Sequence, residues 1–325
     1  MSGPHVLVLA GGLSYERDVS LRSGRRAVDA LRRSGAEVST ADVDSTLLAR
    51  VQADRPDAIV VALHGATGED GALRGVLDLI GVPFVGSDSS ACRVAWDKPA
   101  AKAVLSSAGL PTPAWVALPH ETFRELGAQP VLDRIVHALG LPLMAKPARG
   151  GSGLGAQAVR SMEQLPTAMV GCFAYDETAL LERFVSGTDL AVSVLDLGDG
   201  PFALPPVEIV PPDGLYDYTA RYTAGTTTYH VPARMPDEVR AEAERVAVAA
   251  HLALGLRDLS RVDLIVDAAG EVHVLEVNVS PGLTETSLLP MAVQAADLDL
   301  GAVLLDLVHR TIDRRSRAMP VPVGT

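Results

Sequence analysis

The stretch SRVDLIVDAAGEVHVLEVNVSPG, Ser260 to Gly282, restricts what this chain can fold into more than any other. Val262-Leu264-Ile265-Val266 and Val272-Val274-Leu275-Val277 carry apolar residues at both parities, the pattern of strands covered on both faces. Asp267-Ala268-Ala269-Gly270 between them has the chemistry of a turn. With Ala269-Gly270 as the tip, the antiparallel register sets Asp263 opposite Glu276. Asn278 then shares the face of Glu276, because strand side chains alternate. Two carboxylates and an amide at one end of a buried hairpin are costly unless something offsets them. Two readings stand at this point. Hard oxygen ligands of this kind suit Mg²⁺ carrying a substrate phosphate, or the acids lie at a solvated sheet end and pair with Arg257 and Arg261.

The remainder of the chain must bury that hairpin. At 325 residues and 48% hydrophobic it has enough material for two or three domains. A net charge of −12 disfavours a dedicated nucleic-acid binder, which needs a basic face. No apolar run reaches the length of a membrane span, and MSGPHVLVLAGG lacks the basic region and cleavage site of a signal peptide. Cys92 and Cys172 are the only cysteines, as expected of a reducing compartment without disulfides. Together these features lead us to expect a cytoplasmic α/β protein without membrane or nucleic-acid partners.

Strands at HVLVLAGG, AIVVALHG and VPFVGS alternate with helices at DVSLRSGRRAVDALRRSG and DGALRGVLDLIG. A further helix is expected along SSACRVAWDKPAAKAVLSSAG. This alternation implies parallel strands with crossover helices. The Pro-rich GLPTPAWVALP reads as a boundary. Beyond it come a strand LPLMAKP, a glycine loop ARGGSGLG, a strand AQAV, a helix around MEQLPTAMVGCFA and a strand ALLERFV. DLAVSVLDLGDGPFALPPVEIV predicts two strands around a Gly-Asp-Gly turn. An irregular segment follows, and then the helix PDEVRAEAERVAVAAHLALG, with Pro236 at its first position and Gly255 as its stop.

Four further stretches carry chemistry. Lys146 ends an apolar strand before a loop with Gly150, Gly151, Gly153 and Gly155. Such a loop either cradles polyphosphate with its N–H groups or is a plain hairpin tip, and an inward Lys favours an anion. It is not a Walker A loop, since no Gly-Lys-Ser/Thr follows. In LLERFVSGTDL, Glu182 to Val185 read as an edge strand able to offer backbone groups to an adenine ring, with Asp189 spaced for ribose hydroxyls. The alternative is an ordinary strand end. Glu16 after the first strand and His64 after the second lie where parallel sheets bind ligands, yet Asp18 and Ser20 also read as helix caps. YDYTARY, with Tyr216, Tyr218 and Tyr222, is either an active-site lid or an anchored surface loop.

In this order, LAGGLSYERDVSLRSG, LHGATGEDGALRGVLDLIGVPFVGS, WDKPAAK, LPLMAKPARGGSGLG, YDYTARY, RVDLIVD and LEVNVSPGLTETSLLP resemble the ATP-grasp carboxylate–amine ligases. The D-alanine–D-alanine ligases resemble it most. The resemblance implies an ATP-grasp fold preceded by a Rossmann-like parallel α/β domain. It divides the chain into an N-terminal substrate domain at 1–98, a central subdomain with the glycine loop at 99–189, and a C-terminal subdomain with lid and metal site at 190–325. ATP would bind between the last two, in a homodimer. Lys98, Lys146 and Arg221 are implied at the nucleotide phosphates, Ser152 in the loop over them, Glu182, Phe184 and Val185 at the adenine and Asp189 at the ribose. Asp263, Glu276 and Asn278 would bind two Mg²⁺, with Mn²⁺ as a substitute. Glu16 would hold the ammonium of the first D-alanine, with His64 nearby, and Ser287 and the N–H of Leu288 the second carboxylate. Arg261 and the N–H near Gly282 would face the developing oxyanion, and Ser152 would link Glu16 to Tyr222. The chain departs from the family pattern in Arg221, where Lys is usual, and in the glycine loop, where Gly150-Gly151-Ser152-Gly153 replaces Glu-Gly-Ser-Ser. Those departures motivate an alternative ligase for other small amino or hydroxy acids; a non-catalytic ATP sensor is the third reading, which the complete acidic set disfavours.

Overall fold

The computed structural model describes residues 3–212, 214, 216, 220–221, 223 and 225–318. Its first layer is a parallel sheet of order β2-β1-β3-β4, formed by Glu37–Ala41, His5–Leu9, Ala58–Val61 and Phe84–Val85. Helices α1 (Arg17–Arg33), α2 (Leu47–Asp54), α3 (Ala66–Glu69) and α4 (Ala72–Ile80) connect these strands. β2 and α2 were not expected. EVSTA lies at the sheet edge and buries only Val38 and Ala41, so its apolar signal is weaker than that of the central strands.

The expected helix at SSACRVAWDKPAAKAVLSSAG is two helices, α5 (Ser89–Trp96) and α6 (Lys98–Ser107). Asp97 is extended and its carboxylate accepts the Ala100 N–H at 3.1 Å, while Pro99 occupies the first turn of α6. The break fixes where Lys98 starts the second helix. Next comes an antiparallel sheet of order β5-β8-β6-β7: Trp115–Pro119, Thr178–Arg183, Leu143–Pro147 and Gln157–Val159. Helices α7 (His120–Leu126), α8 (Ala128–Leu139) and α9 (Leu165–Phe173) accompany it. β8 was expected at an edge and is interior, paired with both β5 and β6. Its backbone is spent on the sheet, so any backbone group for a ligand must come from beyond its end.

The third sheet is antiparallel, of order β12-β11-β9-β13-β14 with β10 on β9. The strands are β9 (Gly187–Asp196), β10 (Pro201–Ala203), β11 (Val207–Val210), β12 (Thr228–His230), β13 (Leu259–Asp267) and β14 (Val272–Asn278). Three strands stand where two were expected, since Pro205-Pro206 interrupts the return run. Helix α10 (Asp237–Ala253) covers one face, with Pro236 as its N-cap and not its first residue. Helices α11 (Leu288–Ala295) and α12 (Leu300–Ala318) close the chain. Leu304, Leu307 and Val308 of α12 share a core with Val28 and Leu31 of α1, so the C-terminal helix packs on the first layer. Among the described residues, no single helix is long and apolar enough to cross a membrane.

Asp263 does oppose Glu276, and Arg261 opposes Asn278. The route differs from the expected one. Gly270 N–H bonds to Asp267 O and Asp267 N–H to Glu271 O, both at 3.0 Å, so the tip is a three-residue loop closed by Gly270 at φ +84°. That loop alone would pair Asp263 with Leu275. The register then shifts between Leu264, paired with Val274, and Asp263, leaving Leu275 as an extra residue. The bulge also changes parity. Val272 and Val274 before it and Val277 and Val279 after it all enter the same core, while Leu275, Glu276 and Asn278 face the cleft. Deleting Leu275 would remove the bulge and restore plain alternation, with Asp263 still opposite Glu276 and with Glu276 and Asn278 still facing the cleft. The deletion variant should therefore stay folded and lose no more than about 3 kcal/mol in urea unfolding, the range for one buried Leu side chain. A larger loss would show that the bulge itself, and not only the facing of Glu276, is needed.

Candidate active site

The turns after β1 and β3 meet the glycine loop across one cleft. Glu16 is the last residue before α1, and its buried carboxylate accepts a hydrogen bond from Ser152 Oγ. Ser152 holds φ +56°, a conformation that aims its hydroxyl back at the first layer. Burial raises the Glu16 pKa, while Ser152, Arg221 and Lys98 favour its charged form. His64 lines the same cleft, but both ring nitrogens are engaged within the protein. Nδ1 bonds to Ser280 O at 3.0 Å and Nε2 to Ser23 Oγ at 2.9 Å. A carbonyl only accepts, which fixes the proton on Nδ1, and burial lowers the pKa to about 4. His64 is therefore neutral and braces the segment that carries Gly282. Gly282 itself has no room for a side chain, since a Cβ there would lie 2.6 Å from Ser287 Oγ. Ser287 is the N-cap of α11, and its Oγ accepts the Thr284 N–H at 3.0 Å; with Leu288 it lines the cleft at the positive end of that helix.

A second compartment continues between the two antiparallel sheets. Lys98, Lys146, Gly150, Gly151, Glu182, Phe184, Val185, Asp189, Arg221, Asp263 and Glu276 all border it. Lys98 Nζ donates to Gly150 O at 2.6 Å and lies 3.7 Å from Glu276 Oε2. Lys146 Nζ is 2.5 Å from Glu182 Oε1. Phe184 and Val185 lie past the end of β8, and the Phe184 N–H is given to Pro142 O at 3.1 Å. Arg221 Nη2 reaches within 4.0 Å of Glu276 Oε1, and its guanidinium stacks over Tyr216, whose hydroxyl meets that of Tyr229 at 3.1 Å. Tyr218 and Tyr222 lie outside the described residues.

The charge arrangement bears on a metal. Arg261 Nε and Nη2 hold the Asp263 carboxylate at 2.6 and 2.8 Å. Burial opposes ionisation of Glu276, yet Lys98, Arg221, Lys146 and Arg261 bring its pKa to about 2. Asp189 behaves differently: burial and then the charge of Asp263 push it up to about 6. Positive charge is therefore in deficit around Asp189. Asn278 accepts the Ser280 N–H at 2.8 Å, which orients its amide at the end of β14. An all-oxygen donor set of this kind suits Mg²⁺ or Mn²⁺.

Two buried residues of the site escaped the sequence reading. Glu69 lines the first compartment and accepts the Gly65 N–H at 2.9 Å. Gly65, at φ +69°, also touches Glu16, so this one glycine lets two carboxylates converge. Burial, then Glu16, raise Glu69 to about 8. Lys102 lies one helical turn after Lys98, 2.8 Å from Glu182 Oε2. The i,i+4 spacing of two lysines in KPAAK was the available signal for Lys102. Glu69 gives no such signal.

Residues 104–312 match the family model described as "D-ala D-ala ligase C-terminus". The chain is 37% identical over 306 residues to the D-alanine–D-alanine ligase of Pelotomaculum thermopropionicum, covering 94% of this chain and 96% of that one. It is 39% identical to that of Anaeromyxobacter dehalogenans over 96% of this chain and 97% of the relative. The D-alanine–D-alanine ligase structure from Bacillus anthracis superposes with a TM-score of 0.83 at 28% identity, covering 98% of this chain and 100% of that one. A complex of that enzyme with ATP gives 0.81 at 26% identity, with the same coverage. The VanG D-Ala:D-Ser ligase of Enterococcus faecalis gives 0.80 at 25% identity, covering 95% of this chain and 99% of that one.

Glu69 provides a test of these electrostatics. It ionises near its ordinary 4.5 in the unfolded chain but near 8 in the fold, so its contribution to stability falls as pH rises between those values. Glu69→Gln keeps the acceptor for Gly65 and removes the titration. The variant should melt higher than wild type at pH 8.5, by an equivalent of at most about 5 kcal/mol, and match it at pH 4.5. Scanning calorimetry at the two pH values reads this difference.

Proposed function

Because this chain belongs to the D-alanine–D-alanine ligase family, we propose that its cleft joins two molecules of D-alanine while ATP is converted to ADP and phosphate. The product, D-alanyl-D-alanine, is a precursor for peptidoglycan. One observation carries the reading for this chain's own residues: Glu16 and Ser152 meet on one side of the glycine loop, and Lys98, Lys146, Asp263 and Glu276 on the other.

A carboxylate has no adequate leaving group for attack by an amine at neutral pH. In the first step an oxygen of the first D-alanine's carboxylate bonds to the γ-phosphorus, and ADP leaves. In the second, the neutral amine of the second D-alanine attacks the acyl carbon, and phosphate leaves with the electrons of the acyl–oxygen bond. Glu16 orients the first ammonium, and Ser152 holds Glu16 in place. Lys98, Lys146 and Arg221 offset charge on the phosphoryl oxygens, so catalysis is largely positioning and electrostatics. Asp263, Glu276 and Asn278 would hold two Mg²⁺, which supply charge neutralisation for the transferring phosphoryl group. Arg261, fixed by Asp263, and the N–H of Gly282 face the developing oxyanion. Ser287 and the Leu288 N–H receive the second carboxylate at the start of α11. Phe184 and Val185, past the end of β8, take the adenine and Asp189 the ribose, while the Glu182 side chain is held by Lys102 and Lys146. The lid with Arg221 and Tyr222 keeps water from the acyl phosphate. A homodimer follows from the family resemblance, and light scattering tests it.

A second reading keeps the chemistry and changes the acceptor. It is favoured by the similarity to the VanG D-Ala:D-Ser ligase of Enterococcus faecalis. Turnover is measured as ADP release with Mg-ATP and D-alanine, with D-serine, D-lactate and L-alanine as comparators and the product identified by mass. D-Alanyl-D-alanine is expected as the main product; a preference for another acceptor would leave the fold assignment intact and replace the substrate. Glu276→Gln should lower turnover by at least about a hundredfold, and unchanged turnover would remove Glu276 from the metal set.

A further inference from the structure

Glu182 is almost wholly buried and is held by two lysines at once: Lys146 at 2.5 Å on Oε1 and Lys102 at 2.8 Å on Oε2. The two are not equivalent. Lys146 comes from β6 and borders the nucleotide compartment, whereas Lys102 does not border it and is only 1% exposed. Lys102 Nζ also lies 2.5 Å from Thr112 Oγ1, whose hydroxyl donates to Val274 O at 2.8 Å. The lysine is thus anchored to β14, the strand that carries Glu276. Lys98 and Lys102, on one face of α6, serve opposite ends of one compartment.

This geometry poses a problem for Lys146. Its ammonium has three donors, and each one turned to a phosphate is withdrawn from Glu182, a buried carboxylate that is strongly disfavoured without a compensating cation. We propose that Lys102 is a positioning residue that keeps Glu182 compensated when Lys146 turns from it to the nucleotide phosphates. Without Lys102, Lys146 is retained by Glu182 and the phosphates lose a partner. Burial works against the charge of Glu182, and the two lysines together still hold its pKa below the ordinary range, as a shared counter-charge requires. The inference rests on the reading of Lys146 as a phosphate ligand.

Calorimetric titration of the full chain with adenosine and with Mg-ADP separates the alternatives. The quantity read is the phosphate gain, the ratio of adenosine Kd to ADP Kd. Lys146→Met should reduce this gain at least tenfold, or 1.4 kcal/mol. If it does not, the phosphate reading of Lys146 falls and the proposal falls with it. Lys102→Met should reduce the gain at least tenfold while adenosine affinity stays within threefold. Equal weakening of both ligands, or an unchanged gain, overturns the proposal and leaves the role of Lys146 standing. Lys102→Met leaves Glu182 with one partner and threatens folding, so the double variant Lys102→Met with Glu182→Gln removes both buried charges. Nothing then retains Lys146, and the gain should match wild type. A gain as low as that of Lys146→Met would also overturn the proposal.

Discussion

Glu276 is a half-buried carboxylate on which four cations converge: Lys98 of α6, Arg221 of the segment before β12, Lys146 of β6 and Arg261 of β13. A charge removed from water needs such partners, and here each comes from a different part of the chain. Lys98 also holds Gly150 of the glycine loop, and Arg261 holds Asp263. The cleft therefore closes around one acidic residue as much as around apolar packing. Glu182 repeats the device at the other end, between Lys102 and Lys146. Excess acid at Asp189, Glu16 and Glu69 is what the lysines and arginines leave uncovered. An ammonium substrate suits one side of that deficit, and a metal-bound nucleotide the other.

That arrangement depends on a backbone irregularity. Strand side chains alternate, and Val272, Val274 and Val277 of β14, with Val279 just beyond it, all enter one core. With Leu275 in the chain, plain alternation would turn Glu276 and Asn278 inward; absorbing Leu275 as a bulge keeps both facing the cleft. The neighbouring strand β13 needs no such device, because Arg261 and Asp263 alternate regularly with Val262 and Leu264. The first layer contributes through turns. Gly65 lets Glu16 and Glu69 approach, and neutral His64 ties the turn after β3 to the segment at Ser280.

Most of this was legible in the sequence where pattern and chemistry coincide. The central parallel strands, the glycine loop and the acidic hairpin all announce themselves through runs of apolar residues bounded by turns. The pairing of Asp263 with Glu276 was reached from a two-residue tip; a three-residue tip and a bulge give the same pair, since their offsets cancel. Half-polar edge elements such as β2 were invisible for want of a strong period. β8 was misplaced at an edge because burial on both faces, and not its own composition, decides its position. Lys102 and Glu69 were missed for a common reason. Each acts through a partner distant in sequence, Glu182 and Glu16, and only the fold brings those pairs together.

The central claim is that Asp263, Glu276 and Asn278 form an acidic site completed by metal-bound nucleotide. Electron paramagnetic resonance of Mn²⁺, titrated into the chain with and without a non-hydrolysable ATP analogue, tests it directly. The account predicts two bound ions per chain that depend on the nucleotide, with loss of at least one in Glu276→Ala. Binding that ignores the nucleotide, or that survives the substitution unchanged, would contradict it.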